Sequence, residues 1–364
     1  MVKMDLRLSA EEERFRQEVV TFIDDAFPHP ARIKPTPAEI EHWHLAVADK
    51  GWAAPEWPVT VGGTGWTQSE IFLWYVATAE RNCPQPDYYG LQVVAPLLLE
   101  FGDIDQQRHL AHILDRSETW GDAVFFDGSS NLFVDDLGDQ YQIRGHGICI
   151  ANAKPDRLLV LADTGNGHSL FVVDPHLEGI GLETVASAKT VRSLKFDETS
   201  MVKNCLLGDA NMASKYMEFL LVEKQSLSQV VHLESGFRYL NEVIQRFGLQ
   251  SEMAERVAGI EIELSALKIT GLRYKLPVHH QHSSGNVEAQ IIIVKGLELA
   301  QRIGESLIDA LGYYAIPAEQ VLPGSNEPPP VFTGSRWKSS LMEIMPGCPD
   351  GFRQDLIAKT LLGL

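Results

Sequence analysis

The sequence predicts an α+β fold, mainly α, in three parts. They are an N-terminal helical domain, a middle β-sandwich or barrel, and a C-terminal helical bundle. Three observations carry this. Helical periodicity with capping signals fills roughly the first 120 residues. Short apolar runs bounded by Asp, Gly and Asn follow at close spacing. Long helical periodicity then returns from Ala213. Strands this close together, with no helix between them, argue against βαβ units. The expected domains are 1–120, 121–210 and 211–364.

Each element has a local cause. Ser9-Ala10-Glu11-Glu12 has capping-box spacing and opens a helix running to about Phe27. Pro28, Pro30, Pro35 and Pro37 break the chain, and a second helix spans about Ala38 to Lys50. Gly51-Trp52-Ala53-Ala54-Pro55-Glu56-Trp57-Pro58, with Gly62-Gly63-Thr64-Gly65, is a loop dense in helix breakers. Periodicity resumes over Thr67–Arg81, Gln92–Phe101 and Ile104–Leu114. Tyr141-Gln142-Ile143-Arg144-Gly145 reads as a strand entering a turn. Leu158–Ala162, Ser169–Val173, Gly181–Val185 and Ser193–Phe196 complete the strand set. The later helices are Ala213–Phe247, Ser251–Tyr274, Val287–Leu311 and one near Phe352–Leu362. Pro323–Gly334, with Pro328-Pro329-Pro330, is a loop.

At 364 residues the chain can bury a large core. Hydrophobic residues make up 45% and charged residues 22%, a globular balance. No run of about 18 apolar residues occurs, which argues against a membrane span. Met1-Val2-Lys3-Met4-Asp5-Leu6-Arg7 has no apolar signal core, so a cytoplasmic location is expected. The net charge of −18 argues against nucleic acid or an anionic membrane as partner. It leaves room for an anionic ligand in a local basic pocket. Cys83, Cys149, Cys205 and Cys348 are isolated, without a CxxC, and read as reduced structural thiols. His279, His280 and His282 lie between Pro277 and Gly285 with no Cys near, and read as a polar loop rather than a metal site.

The end of the chain is the most specific stretch. It runs Arg336-Trp337-Lys338, then Ile344-Met345-Pro346-Gly347-Cys348-Pro349-Asp350, then Gln354-Asp355-Leu356-Ile357-Ala358-Lys359-Thr360-Leu361-Leu362-Gly363-Leu364. This resembles the C-terminus of acyl-CoA dehydrogenases, which ends in a segment such as I-Y-E-G-T-S-E-I-Q-R-N-I-I-A-K-x-L-L-G-L. Gly51-Trp52 to Gly63 resembles that family's G-W-x-x-P-x-x-P-x-x-x-G-G loop. Phe101-Gly102-Asp103-Ile104-Asp105-Gln106-Gln107 resembles its F-G-T-x-x-Q-K, and Leu206-Leu207-Gly208-Asp209 its N-L-L-G-E. The likeness spans nearly the whole chain, although each motif alone is weak. It implies a C-terminal four-helix bundle that drives oligomerisation, an FAD cofactor and an acyl-CoA substrate. The implied reaction removes the α-proton, passes a β-hydride to flavin and leaves a trans-2-enoyl-CoA.

The resemblance also exposes departures. In many members the Glu before the C-terminal Gly is the base; here Pro346 stands there and cannot accept a proton. The T-E-P-x-A-G-S-D stretch that contacts the flavin has as counterpart Phe125-Phe126-Asp127-Gly128-Ser129-Ser130-Asn131. In the counterpart of N-G-x-K-x-W-I-T-N-A, Arg144 to Ala153, Cys149 replaces the Trp behind the flavin and Ala151 replaces a hydroxyl. These changes read either as a lost pocket or as drift around a retained flavin. In Ile244-Gln245-Arg246-Phe247-Gly248, Ile244 holds the position of the pyrophosphate Arg. Arg246 is then either a displaced phosphate charge or a solvated helix-end cation. The likeness places Arg246, Phe247 and Gly312 at the nucleotide end of the flavin, at a subunit interface. Some members carry the base on the first helix after the β-domain, where Leu221-Val222-Glu223-Lys224 stands. Glu223 is either that base or half of a solvated helix pair.

The resemblance thus implies a subunit of a heteromeric FAD-dependent acyl-CoA dehydrogenase acting on a bulky, steroid-type acyl-CoA. A second acyl-CoA dehydrogenase-like chain would supply the base and most of the FAD site. Two alternatives stay open: a homomeric enzyme using Glu223, and a non-enzymatic acyl-CoA- or protein-binding scaffold.

Overall fold

A computed structural model describes residues 8–27, 36–81, 83–84, 89–123, 131–151, 154–184, 191–223, 226–275 and 285–312. Five helices come first: α1 (Ala10–Ala26), α2 (Pro37–Asp49), α3 (Gln68–Glu80), α4 (Ala95–Phe101) and α5 (His109–Leu114). Eight strands follow: β1 (Trp120–Ala123), β2 (Asn131–Asp136), β3 (Gln140–Ile150), β4 (Arg157–Asp163), β5 (His168–Val173), β6 (Ile180–Thr184), β7 (Val191–Val202) and β8 (Leu206–Leu207). Helices α6 (Ala213–Glu223), α7 (Ser226–Phe247), α8 (Gln250–Lys275) and α9 (Gly285–Leu311) close the described chain. The α+β, mainly α fold expected from the sequence is the one observed. Among the described residues no helix is long and apolar enough to cross a membrane.

The first three helices start on the same device. Ser9, Thr36 and Thr67 each accept the N–H of a Glu three residues on, and each Glu side chain reaches back to the cap N–H. The segment expected as a helix over Gln92–Phe101 divides into a π-helical turn, Gly90–Val94, and then α4. Pro96 is the physical reason. It has no N–H to donate back along the helix. The Ala95 N–H bonds five residues back to the Gly90 carbonyl. The freed Leu91 carbonyl accepts the Trp57 indole N–H at 3.1 Å. The expected helix over Ile104–Leu114 is likewise shorter. Asp103 Oδ1 accepts the Gln106 N–H at 2.8 Å, a local turn that delays regular helix to His109.

The middle strands form one sheet in the order β6-β7-β3-β1-β4-β5-β8. β1 and β2 share the slot between β3 and β4. β1 pairs with β3 at Asp122–Ile150 and with β4 from Trp120–Arg157 to Ala123–Val160. β2 pairs with β3 from Asn131–His146 onward and with β4 at Phe133–Asp163. They are two halves of one interrupted strand. The Tyr141 ring on β3 meets the Phe171 ring on β5, with centroids 5.5 Å apart. Flat spacing would separate those strands by roughly 14 Å, so the sheet curls round its own core. That core includes Leu132, Ile143, Cys149, Val160, Phe171 and Phe196. β3 and β7 are longer than the sequence reading allowed, because a bulge between Ile143 and Gly145 lets β3 bend and continue. β1 and β2, too short and polar to read as strands, went unforeseen.

The outer face of the sheet packs against helices. Trp120, Leu159, Leu161, Leu170 and Leu207 share one buried cluster with Leu97 and Leu98 of α4 and Tyr216 and Leu220 of α6. Gln106 pins this junction. Its buried side-chain amide donates to the carbonyls of Asn204 at 2.8 Å and Leu206 at 2.9 Å, across the sequence from helices to sheet. Gln106→Leu keeps the bulk and strips both carbonyls of their donor. The expected cost is about 2–4 kcal/mol, read as a lower urea midpoint with an unchanged m-value.

Candidate functional site

The inner wall of β3 is where the sequence places the cofactor contacts, and the structure shows what that wall is made of. Side chains alternate along the strand, so Cys149 and Ala151 point to one face. That face is the inner core: Cys149 is 0% exposed and Ala151 5%. Gly121 of β1 lies against it. A Cβ there would come within 2.9 Å of Cys149 Sγ, 2.8 Å of Leu158 and 3.0 Å of Pro155. Leu158, Pro155 and Cys149 itself therefore crowd the space over Gly121.

Charges flank this wall. Asp122 on β1 is buried, and Arg192 on β7 sits directly opposite Cys149. Burial, with a smaller push from the Asp122 charge and against the pull of Arg192, raises the Cys149 thiol to about 12. At neutral pH it is a protonated core residue, not a nucleophile. Cys83 and Cys205 are also buried and raised to about 12, chiefly by desolvation. The expectation of reduced structural thiols holds for these three. Cys348 lies outside the described residues.

A flavin ring needs an open wall with a donor near its edge. Among the described residues, β3 presents neither at Cys149 and Ala151, so the wall does not fit the ring. Asn131, at the end of the T-E-P counterpart, is exposed on β2; Phe125 to Ser130 lie outside the described residues.

The remaining candidates fall at two separate places. Glu223 is the last residue of α6, a helix held to the sheet by Ala213, Tyr216, Met217 and Leu220. Its side chain lies outside the described residues. Arg246 and Phe247 end α7 and are exposed, followed by Gly248 at φ 72, a left-handed helix stop. Gly312 follows α9 at φ 51. Arg256 of α8 pairs with Asp309 of α9, which brings the ends of α7 and α9 to the same end of the bundle. The structure therefore gathers Arg246, Phe247 and Gly312. Glu223 stands apart, near the start of the 22-residue α7, roughly 33 Å away by helix rise. Pro346 and His279, His280 and His282 lie outside the described residues. No cluster of His, Cys, Asp and Glu able to hold a metal occurs among the described residues.

The sequence reading passed over a second feature. Four of the Trp residues, Trp43, Trp52, Trp57 and Trp74, line one cavity among the N-terminal helices. Their density in the first 75 residues was the available signal.

Residues 9–115 match the family described as acyl-CoA dehydrogenase, N-terminal domain. No curated protein matches the sequence. Solved structures match along its length. The Tcur3481-Tcur3483 steroid ACAD superposes with a TM-score of 0.78 at 18% identity, covering 99% of each chain. The ChsE4-ChsE5 complex from Mycobacterium tuberculosis gives 0.75 at 18% identity, again over 99% of both. A glutaryl-coenzyme A dehydrogenase in complex with glutaryl-CoA gives 0.70 at 16% identity, over 99% of this chain and 97% of that one. The chain has the acyl-CoA dehydrogenase fold.

The buried thiols give a direct check on the closed wall. A thiol-reactive disulfide reagent at pH 8 is expected to titrate at most one Cys per native chain and all four after denaturation. Rapid modification of Cys149 in the native protein, located by peptide mapping, would show that the wall is open.

Proposed function

We propose that this chain is the non-catalytic or co-catalytic subunit of a heteromeric FAD-dependent acyl-CoA dehydrogenase. The complex converts a bulky, steroid-type acyl-CoA to its trans-2-enoyl-CoA. FAD is held mainly by a second acyl-CoA dehydrogenase-like chain, or at the interface with it. The working units are 1–120, 121–210 and 211–364, and the location is cytoplasmic. The observation that supports the reading is the β3 wall: the fold is retained, while Cys149 and Ala151, at the positions of two expected flavin contacts, are buried beside Gly121 and Leu158.

Two further observations support it. The Tcur3481-Tcur3483 and ChsE4-ChsE5 structures, to which this chain is similar, are pairs of differently named chains. The outer face of α8 is also built for a partner. Ser251, Ala254, Ala258, Ile262, Ser265 and Ile269 are exposed and fall within about 80° of one another at 100° per residue. Ile262 is 70% exposed. This exposed, uncharged stripe, with Ile262 and Ile269 on it, supports a partner against α8. Arg246, Phe247 and Gly312, gathered at one end of the bundle, would meet the nucleotide end of a flavin held across that interface.

The purified single chain is expected to be colourless, with less than about a tenth of the 450 nm absorbance of a stoichiometric flavoprotein. It should gain flavin, and sediment as a heteromer, when co-expressed with its partner. Stoichiometric flavin in the single chain would instead favour a homomeric enzyme. A colourless chain with no dehydrogenase-like partner would favour a binding scaffold.

The base is the second test. General-base catalysis contributes at least ~10²-fold. If the partner carries the base, Glu223→Gln leaves turnover of the assembled complex within about tenfold of the parent. This is the expected result. A hundredfold or larger loss, with assembly and FAD content unchanged, would make Glu223 the base.

A further inference from the structure

The cavity among the N-terminal helices lies apart from the β3 wall and is used by nothing above. It has a volume of about 60 Å³. A buried water needs roughly 10–15 Å³ by this kind of measure, so the space exceeds one solvent molecule several-fold. Its walls come from Trp43, His44 and Val47 of α2, the Trp52–Trp57 loop, Trp74, Tyr75 and Thr78 of α3, the π-helical turn with Pro96, and Leu114 and Arg116 at the end of α5. The walls are mostly aromatic and aliphatic.

The polar groups on those walls are unequal. The Glu56 carboxylate accepts from the Tyr75 hydroxyl at 3.0 Å. The Arg116 guanidinium pairs with Glu41 at 3.5 Å. Thr78 donates to backbone carbonyls of its own helix at 3.0 Å. Both wall charges are thus answered within the protein, so the cavity does not call for a charged ligand. Gln92 differs. It stands on the π-helical turn, lines the cavity, and its side-chain Oε1 is buried with no hydrogen-bond partner among the described residues. A buried acceptor left without a donor costs about 1–3 kcal/mol. Turns of this kind are frequent at functional sites. Here the turn exists because Pro96 and Trp57 redirect the helix, and it carries Gln92. Arg116 stands at the rim, just past the end of α5, where its φ of 62 is a left-handed helix stop.

We infer that this cavity is a binding site for a small, neutral heteroaromatic molecule with one N–H or O–H donor. The ring packs edge-on or offset against the Trp walls, and the donor satisfies Gln92 Oε1. The size admits a single small ring and excludes a CoA ester. The site is therefore a ligand or effector pocket of the helical domain, independent of where the flavin is held.

Pyrrole and furan test this. They are five-membered rings of nearly the same shape; pyrrole has an N–H donor and furan has none. Binding to the full chain is read by quenching of tryptophan fluorescence and by calorimetry. Pyrrole is expected to bind saturably, about five- to tenfold more tightly than furan, the worth of one hydrogen bond. Gln92→Leu should erase that preference and leave furan binding within about twofold. Ala48→Leu, which fills the cavity from α2, should weaken both rings at least tenfold. Circular dichroism confirms that each variant is folded. If Gln92→Leu does not fold, the pyrrole-to-furan ratio in the parent chain and its loss in Gln92→Met decide the matter, because that change keeps the length of the side chain and removes the amide acceptor. Failure of pyrrole to saturate the parent chain, or an equal affinity for both rings there, would overturn the proposal. Neither outcome bears on the flavin or on the partner subunit.

Discussion

The side-chain amide of Gln106 holds the two halves of this structure in register. It reaches from the N-terminal helices to the carbonyls of Asn204 and Leu206, where the chain leaves the sheet. Those carbonyls lie just before and at the start of β8, ahead of α6, so the same contact sets the start of the C-terminal helices. The apolar cluster around it is continuous from α4 through the outer sheet face to Tyr216 and Leu220 of α6. Burying three elements in one cluster favours pairing of the polar atoms inside it, although Trp120 Nε1 has no hydrogen-bond partner among the described residues. Gln106 supplies such pairing where helices and sheet meet. The stacking of Phe101 on Tyr216, with centroids 4.1 Å apart, adds a second contact across the same seam.

That seam fixes what the rest of the chain can do. Among the described residues the outer sheet face packs on helices, and the expected flavin contacts at Cys149 and Ala151 lie on the inner face. On that face the interrupted strand brings Gly121 and Ala123 beside Cys149, and Leu158 and Val160 fill the space they leave. Small residues on one strand have been answered by branched residues on the next. Close packing is then reached without a ligand. The Cys149 thiol, raised by burial, belongs to this packing rather than to chemistry.

The helical part keeps its own logic. Phe22, Trp43, Trp52, Trp66 and Trp74 pack ring against ring at 4.8 to 6.4 Å, which fixes α1, α2 and α3 together. Large flat rings leave gaps that aliphatic chains would fill. The cavity beside Gln92 is one such gap, widened by the π-helical turn.

Much of this was legible in the residues. The capping box at Ser9 and the breakers after Phe27 set the first helices, because those interactions are local and span few residues. The order of helices, strands and helices followed from periodicity alone, and the motif at Phe101–Gln107 pointed to the fold. Other features depended on contacts far apart in sequence. β1 and β2 have little strand character by themselves and exist because β3 and β4 leave a slot. The helix before Phe101 opened into a π turn because Trp57, more than thirty residues earlier, supplies the donor that Pro96 cannot. The substitution at Cys149 could be read from the sequence as a lost contact. Whether it left a hole or a packed wall was decided only by Gly121 and Leu158, brought against it by the sheet. The sequence determined which groups were present and which local turns they make. The tertiary structure decided which of them face a core, a cavity or a partner, because burial is a property of distant neighbours.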